Sequence, residues 1–351
     1  MGSVGRVFFP LDEQLGLRDK RYSEGVLKEM VWLSGAANSF AKAQETFERI
    51  GHLAVSESSI WRRKEEWGQQ FKKQEEVERE KANTWSSASA FRERVLGSDK
   101  RMGVSMDGSM VHIRQEGWKE LKVGCTFEIQ VWPTWNKETQ EWEELAHAVH
   151  NRYVAHLGGP EMFGQLLWMK AKGQGWERAK DKQAIGDGAP WVWNQVQEYF
   201  YDARQAVDWY HGMEHVGRIA TLLHGEDTPA SKQWYKGAEK RLYQGHAQRI
   251  AVEVREAAQG YPVEIAQELE KEAAYLAEHH RRMQYLELRE DGFVIGSGMV
   301  ESGGKQFKSR FCGSGMRWSR SGIERLIPIR AAIMGDCYDP AWQAVYNSPQ
   351  N

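Results

Sequence analysis

The chain has 351 residues, 41% of them hydrophobic, and a formal net charge of −2, room for about two domains of ~150 residues with a sizeable core. No run of ~18 apolar residues occurs, and the start "MGSVGRVFFPLDEQLGL" has neither a long apolar region nor a small-residue cleavage site, so no membrane partner is expected and a cytoplasmic location is. Three cysteines, Cys125, Cys312 and Cys337, are odd in number and never spaced C-x-x-C, which argues against a disulfide framework or a Cys-rich zinc site and for packing thiols.

Residues 20 to 82 are helical in pattern and contain no Pro, with Asn38 and Ser39 as candidate N-caps and Gly51 just past a helix end. "SFAKAQETFERIGHLAVSESSIWRRKEEWG" gives a helix, a tight turn and a second helix opened by Ser56. That is the helix-turn-helix pattern, and its second helix would carry Ser58, Ser59, Arg62 and Arg63 outward for a major groove. The plainer alternative is a helical hairpin with a solvated face, because the following "KKQEEVEREK" is charge-balanced.

From residue 101 the period shortens. "RMGVSMDG", ending in Asp107, "SMVHIRQ" and "ELKVGCTFEIQVW" predict three successive antiparallel strands, and 140 to 172 a helical segment. "DKQAIGDG" is a fourth strand ending in Asp187, "APWVWNQVQEYF" a helix, and "ARQAVDWYH" a fifth strand ending in Asp208, with a helix from His211. The order β-β-β-α-β-α-β-α lays the first strand beside the fourth and puts Asp107 and Asp187 at one rim, where open α/β sheets commonly bind ligands. Residues 225 to 289, rich in Glu, Lys and Ala, predict an inserted helical region, after which "GFVIGSGMVES" re-enters the core. Most of the sixteen Trp belong in core or interface. Trp191 and Trp193 point to different faces of their helix and are expected in the core, with stacking on a flipped base as the alternative.

"IGSGMVESGGKQFKSRFCGSGMRWS" sets one acid, Glu301, among small residues ahead of Lys305, Lys308, Arg310 and Arg317, with Arg320 just beyond. Glu301 to Arg330 holds seven Lys/Arg against two acids, a local balance of about plus five whose partner is an anion. A P-loop fails, since Met299 stands five before Gly304 and Gln306 follows Lys305; a dinucleotide fingerprint fails because Glu301 holds its third glycine position. Spaced cations fit a polymer backbone better, so DNA is the expected partner. Two or three carboxylates at a mouth rimmed by basic side chains would suit Mg²⁺ or Mn²⁺, and two such ions can drive an in-line displacement at a phosphodiester. Asp107, Asp187 and Glu301 are the candidates. Among 49 acids, however, three are easily chosen, and Asp-Gly at 107 and 187 is also ordinary turn chemistry. His211 and His215 have the i, i+4 spacing of a zinc pair but lack an E-x-x-H companion.

"SMDGSMVHIR", "GWKELKVGCTF", "IGDGAPWVWN", "VDWYHGMEHV" and "IGSGMVESGGKQFKSRFCGSGMRWSRSGIERL" resemble the ordered blocks of DDE transposases from bacterial insertion sequences, most closely the ISKra group, and "FFPLDEQLGL" resembles that group too. The resemblance covers nearly the whole chain and is weakest at 225 to 289. It implies an α/β, ribonuclease-H-like catalytic core with a mixed five-stranded sheet, flanking helices and an all-α insertion. The segments expected are a leader (1–19), a helix-turn-helix domain (20–97), the first part of the core (98–224), the insertion (225–289) and the last part of the core with its basic run (290–340). Asp107, Asp187 and Glu301 become the catalytic and metal-binding acids of a site using Mg²⁺ or Mn²⁺, two ions in all, and Asp208 to His211 is similar to a [CD]-x-x-H signature that supports such sites. A strand end with an Asp helix cap is the alternative for that block. Arg62, Arg63, Lys305, Lys308, Arg310, Arg317 and Arg320 become DNA contacts. The implied partners are the element's terminal inverted repeats and target DNA, bound by a homo-dimer or higher oligomer that is nucleoid-associated when on DNA. Many relatives carry a Cys-bearing segment upstream of the "PLDE" block, on which this chain almost starts, so a truncated or decayed copy with its acids intact is one reading, beside that of an active copy. Two other functions share the features: a non-catalytic DNA-binding protein derived from a transposase, and a nuclease of the same fold that cuts without joining.

Overall fold

Ser39 and Ser56 punctuate the N-terminal helices as their sequence positions suggest. In the computed structural model, which describes residues 21–84, 97–136, 140–313 and 315–348, three helices come first: α1 (Glu24–Ala36), α2 (Phe40–Arg49) and α3 (Glu57–Asn83). Strands β1 (Ser98–Ile113), β2 (Gly117–Asn136) and β3 (Glu141–His156) follow, then α4 (Pro160–Gly173), β4 (Ala179–Gly186), α5 (Pro190–Tyr199) and β5 (Arg204–Val207). The remaining helices are α6 (Trp209–His224), α7 (Pro229–Tyr243), α8 (Ala247–Ala258), α9 (Val263–His279), α10 (Tyr285–Glu290), α11 (Gly298–Phe311), α12 (Arg320–Met334) and α13 (Tyr338–Asn347). The "FFPLDEQLGL" block lies outside the described residues. Contacts gather the chain into two units, one of residues up to 80 with 110–120 and those from 305 onward, the other of 81–109 with 121–304.

In the first unit, Ser39 Oγ accepts the Lys42 N–H at 3.0 Å to start α2, and Ser56 Oγ accepts the Ser59 N–H at 3.3 Å ahead of α3. The connection, residues 50–56, is longer than the about three or four residues of a helix-turn-helix turn. Gln44 Oε1 accepts the Glu57 N–H across it at 2.9 Å. Met30, Ala43, Phe47, Val55 and Ile60 form the buried cluster that sets α1, α2 and the start of α3 together. Further along α3, Trp67 meets Trp342 at 4.6 Å and Tyr346 at 5.7 Å, and Phe71 stacks on Tyr338 at 5.9 Å, which ties α13 into this unit.

The second unit is built on a five-stranded mixed sheet of order β3-β2-β1-β4-β5, with β4 parallel to β1 and β5, and β2 antiparallel to β3. The first strand therefore lies beside the fourth. Val104, Met106, Ala184, Ile185, Ala206 and Val207 are all buried, as strands covered on both faces require. Two boundaries differ from those read in the sequence. "RMGVSMDG" and "SMVHIRQ" form one continuous strand, and Glu141 to His156, expected as helix, is β3. Its Glu, Ala and Leu content favours a helix, but pairing with β2 from Asn136↔Glu141 to Lys122↔His156 supplies a full ladder that outweighs local propensity.

The insertion is helical as expected, with α8 packed on α9 and α9 on α6. On re-entry, the buried Gln183 amide of β4 donates to Val294 O at 2.7 Å and accepts the Val294 N–H at 3.2 Å, and the Trp209 N–H donates to Ile295 O at 2.9 Å. The "GFVIG" segment is thereby held against the sheet, which fixes where α11 starts. Trp193 is buried, as the core reading expects, while Trp191 is half-buried and packs edge-on to Phe163 at 5.6 Å. All three cysteines are free, Cys125 buried, Cys337 half-buried and Cys312 exposed; packing thus accounts for the first two and not for Cys312. Among the described residues no helix is long and apolar enough to cross a membrane.

Candidate active site

Asp107 and Asp187 each follow the last paired residue of the parallel β1–β4 ladder, Met106↔Gly186. Gly186 also pairs with Val207, and the Asp208 N–H donates to Gly186 O at 2.8 Å. Register alone therefore sets Asp107, Asp187 and Asp208 in a row across three neighbouring strands.

Glu301 arrives from the other end of the sequence. The Ser297 N–H donates to Asp208 Oδ2, and Ser297 Oγ lies 3.2 Å from Glu301 Oε1, i to i+4 across the first turn of α11. Tyr153 Oη donates to Met299 O at 3.2 Å from β3. One of the glycines after Glu301 has a steric cause: a Cβ on Gly303 would lie 2.6 Å from the Tyr153 ring, whereas one on Gly304 would meet Asp107 Oδ2 only at an ordinary contact distance of 3.9 Å. The bare backbone lets this turn of α11 approach the sheet beside Asp107.

Burial pushes the Asp107 carboxyl above its ordinary value, and the neighbouring charges of Asp187 and Glu301 push it further, against the Gly108 amide and the His211 ring. Asp187 and Glu301 are thus each near enough to Asp107 for their charges to be felt there. Each is tied by one oxygen: Asp107 Oδ1 accepts from Gly108 N at 2.7 Å, Asp187 Oδ1 from Ala189 N at 2.9 Å, and Glu301 Oε1 from Ser297 Oγ. Their second oxygens accept no hydrogen bond among the described residues. Neighbouring carboxylates with spare oxygens fit a hard divalent cation in donor type and charge. Among the described residues no three His, Cys, Asp or Glu groups are gathered tightly enough to hold one ion.

Asp208 caps α6 and also holds the residue that precedes α11. It is 1% exposed; Oδ1 accepts the His211 N–H at 2.8 Å to start α6, while Oδ2 holds Ser297. His211 stands near enough for its charge to be felt at Asp107. His215 is held by the insertion: its Nδ1 is 2.6 Å from Glu272 Oε2, and its ring stacks on Tyr275 at 3.5 Å.

The basic residues divide. Lys305, Lys308, Arg317 and Arg62 are exposed. Arg63 is half-buried, paired with Glu66 at 3.1 Å and set over the Tyr22 ring. Arg320 is matched by Glu116 and Glu324. Arg310 is the clear correction: it is 1% exposed, its Nε donates to Ser34 O at 2.9 Å, and its guanidinium lies 5.0 Å from both the Phe40 and Trp318 rings, so it cannot reach a phosphate. Arg330 is a second core strut, donating to Gly35 O and Gln306 O. The local charge excess is therefore partly internal.

Three contributors carried no readable motif. Tyr275 and Glu272 lie in the insertion, and Arg114 is a lone cation at the β1–β2 turn that lines a hollow of ≈ 720 Å³ with Trp61, Arg317 and Arg325. Ser297, four residues before Glu301, could have been found from helical spacing. Compared with protein-family models and with curated proteins, the chain matches none.

Proposed function

We propose that the chain is a transposase of the DDE type, cutting DNA at the ends of an insertion sequence and joining the freed 3′-hydroxyl to target DNA. One observation carries the reading: Asp107 and Asp187 stand on adjacent parallel strands, one step past their last rung, with Glu301 close enough to raise the Asp107 carboxyl. Sheet order 3-2-1-4-5, a helical segment inserted before the last acid, and that acid on a helix are what a ribonuclease-H-like core would have. The block resemblance to ISKra transposases points the same way; the long α2–α3 connection departs from a helix-turn-helix, so DNA-end recognition by the first unit would rest on the exposed Arg62 of α3.

Asp107, Asp187 and Glu301 would hold Mg²⁺ or Mn²⁺, which when bound activates a water or 3′-hydroxyl and stabilises the leaving oxygen. The chain's own part is placement. The β1–β4 register sets two carboxylates side by side, Asp208 and Ser297 orient the third, and Lys305 and Lys308 extend along α11 one and two turns beyond Glu301 as phosphate contacts.

The test is incubation of the purified protein with the cognate element ends and Mg²⁺, scored for nicks and joined products, beside Glu301→Gln. Nicking and joining that the Glu301→Gln protein loses by orders of magnitude, with DNA binding kept, supports the reading. Nicks without joining would favour a nuclease, and specific binding without cleavage a non-catalytic DNA-binding protein.

A further inference from the structure

The insertion reaches the acid cluster through one side chain. Tyr275 on α9 donates its hydroxyl to the backbone carbonyl of Asp187 at 2.7 Å. The same three-residue loop is pinned from within, since Asp187 Oδ1 accepts the Ala189 N–H at 2.9 Å and Ala189 O accepts the Val192 N–H at 3.0 Å as α5 begins. Gly188 has φ +97°, and a Cβ there would stand 2.5 Å from the Tyr275 hydroxyl. The glycine is thus required twice, for its backbone angle and for the room the phenol takes.

Tyr275 is itself held firmly. Its ring stacks flat on His215 at 3.5 Å, with His279 edge-on at 4.6 Å. Glu272, one turn earlier on α9, accepts His215 Nδ1 at 2.6 Å and Arg218 Nε at 2.9 Å, both from α6. Burial would raise the Glu272 carboxyl, but these two bonds hold it below the ordinary range, so the clamp stays charged at neutral pH. Burial, with the Asp187 and Asp208 charges, pushes the Tyr275 phenol far above its ordinary value, so it remains a donor.

We propose that Tyr275 is a positioning residue for Asp187: the hydrogen bond from the insertion fixes the 187–188 peptide plane, and with it the direction in which the second acid points. The inference rests on Asp187 being a metal-holding acid for its functional meaning, but the physical coupling does not. A carboxylate's aim follows its backbone φ and ψ, and a peptide anchored on one side only can rotate; the phenol anchors it on the other.

Tyr275→Phe removes the hydroxyl and keeps the ring stack on His215. Amide hydrogen exchange over 187–192 should quicken about tenfold relative to wild type, with β4 and α9 unchanged. The Mn²⁺ concentration giving half-maximal cleavage should rise by about fivefold to tenfold with DNA affinity unchanged, and excess Mn²⁺ should restore the rate. Gly188→Ala, which pushes on the same hydroxyl, should give the same pattern. Wild-type exchange and wild-type Mn²⁺ dependence in Tyr275→Phe would overturn the inference. A wild-type protein that neither cleaves nor binds Mn²⁺ would instead remove the transposase reading, and the exchange rate at 187–192 would still decide whether Tyr275 holds the loop.

Discussion

Asp208 and Ser297 are joined by a hydrogen bond from the Ser297 amide to Asp208 Oδ2, while the other oxygen of Asp208 caps α6. One buried carboxylate therefore sets both the strand-to-helix turn after β5 and the start of the helix that carries Glu301. Asp208→Asn keeps the shape but offers only one acceptor oxygen and turns an N–H₂ toward an N–H donor. The expected cost is about 1–3 kcal/mol of stability, with cleavage reduced by about a hundredfold as Glu301 loses its placement. Ser297→Ala keeps the backbone bond and removes only the hydroxyl 3.2 Å from Glu301, so it should cost about tenfold in rate with little change in melting temperature. Thermal melts and single-turnover cleavage check the ranking; equal effects from both variants would show that the amide bond is not what positions Glu301.

The raised Asp107 carboxyl makes a pH prediction whose sign is fixed. Because the folded state holds this proton more tightly than the unfolded state, its contribution to stability is full below the ordinary value of about 3.8 and is lost as pH rises through the higher folded value. At pH 7 wild type carries the full cost of burying the Asp107 charge and, added to it, the repulsion from Asp187 and Glu301. Asp107→Asn should therefore melt higher at pH 7, by about 2–4 °C for each kcal/mol relieved, and the difference should shrink as pH falls toward 4. Mg²⁺ should raise the melting temperature of wild type more than that of the variant. Calorimetry at two pH values with and without Mg²⁺ decides it, and a difference independent of pH would show that the Asp107 charge is not its source.

The acid row was legible because short apolar runs mark where the parallel pairing stops: "IGDG" and "VDWY" stand at the ends of β4 and β5, while "SMDG" marks where β1 parts from β4 although β1 itself runs on to Ile113. β3 was not legible. Glu141 to Ala148 has a helix former's composition, and only its partner strand, whose Trp135 faces Trp142, makes it a strand. The basic run misled for a related reason: sequence counts charges but not their directions, and Arg310 and Arg330 point into the core, where backbone carbonyls and rings take up part of their bonding while Arg310 Nη2 and Arg330 Nε have no hydrogen-bond partner among the described residues. Tyr275 had no signal at all, since its role exists only through the packing of α9 on α6.

Arg310 and its exposed neighbours Lys305 and Lys308 should respond in opposite ways to the same substitution. Burial, with the Arg330 charge nearby, pulls the Arg310 guanidinium down to about 10, still protonated at neutral pH, so it is a buried cation held by Ser34 O and two aromatic faces. Arg310→Ala leaves that carbonyl and both rings unmatched and opens a cavity, an expected loss of about 3–5 kcal/mol. Lys305→Ala and Lys308→Ala touch only solvent-facing positions and should change stability by no more than about 0.5 kcal/mol. Each phosphate contact they make should instead lower the slope of log K against log salt by about 0.9, for every DNA sequence alike. Denaturant melts and a salt titration of DNA binding on the three variants separate the roles. An Arg310→Ala protein with wild-type stability and a shallower salt slope would return Arg310 to the DNA-binding set, and lysine variants with an unchanged slope would place the phosphates elsewhere, with Arg317 and Arg62 the next exposed cations to test.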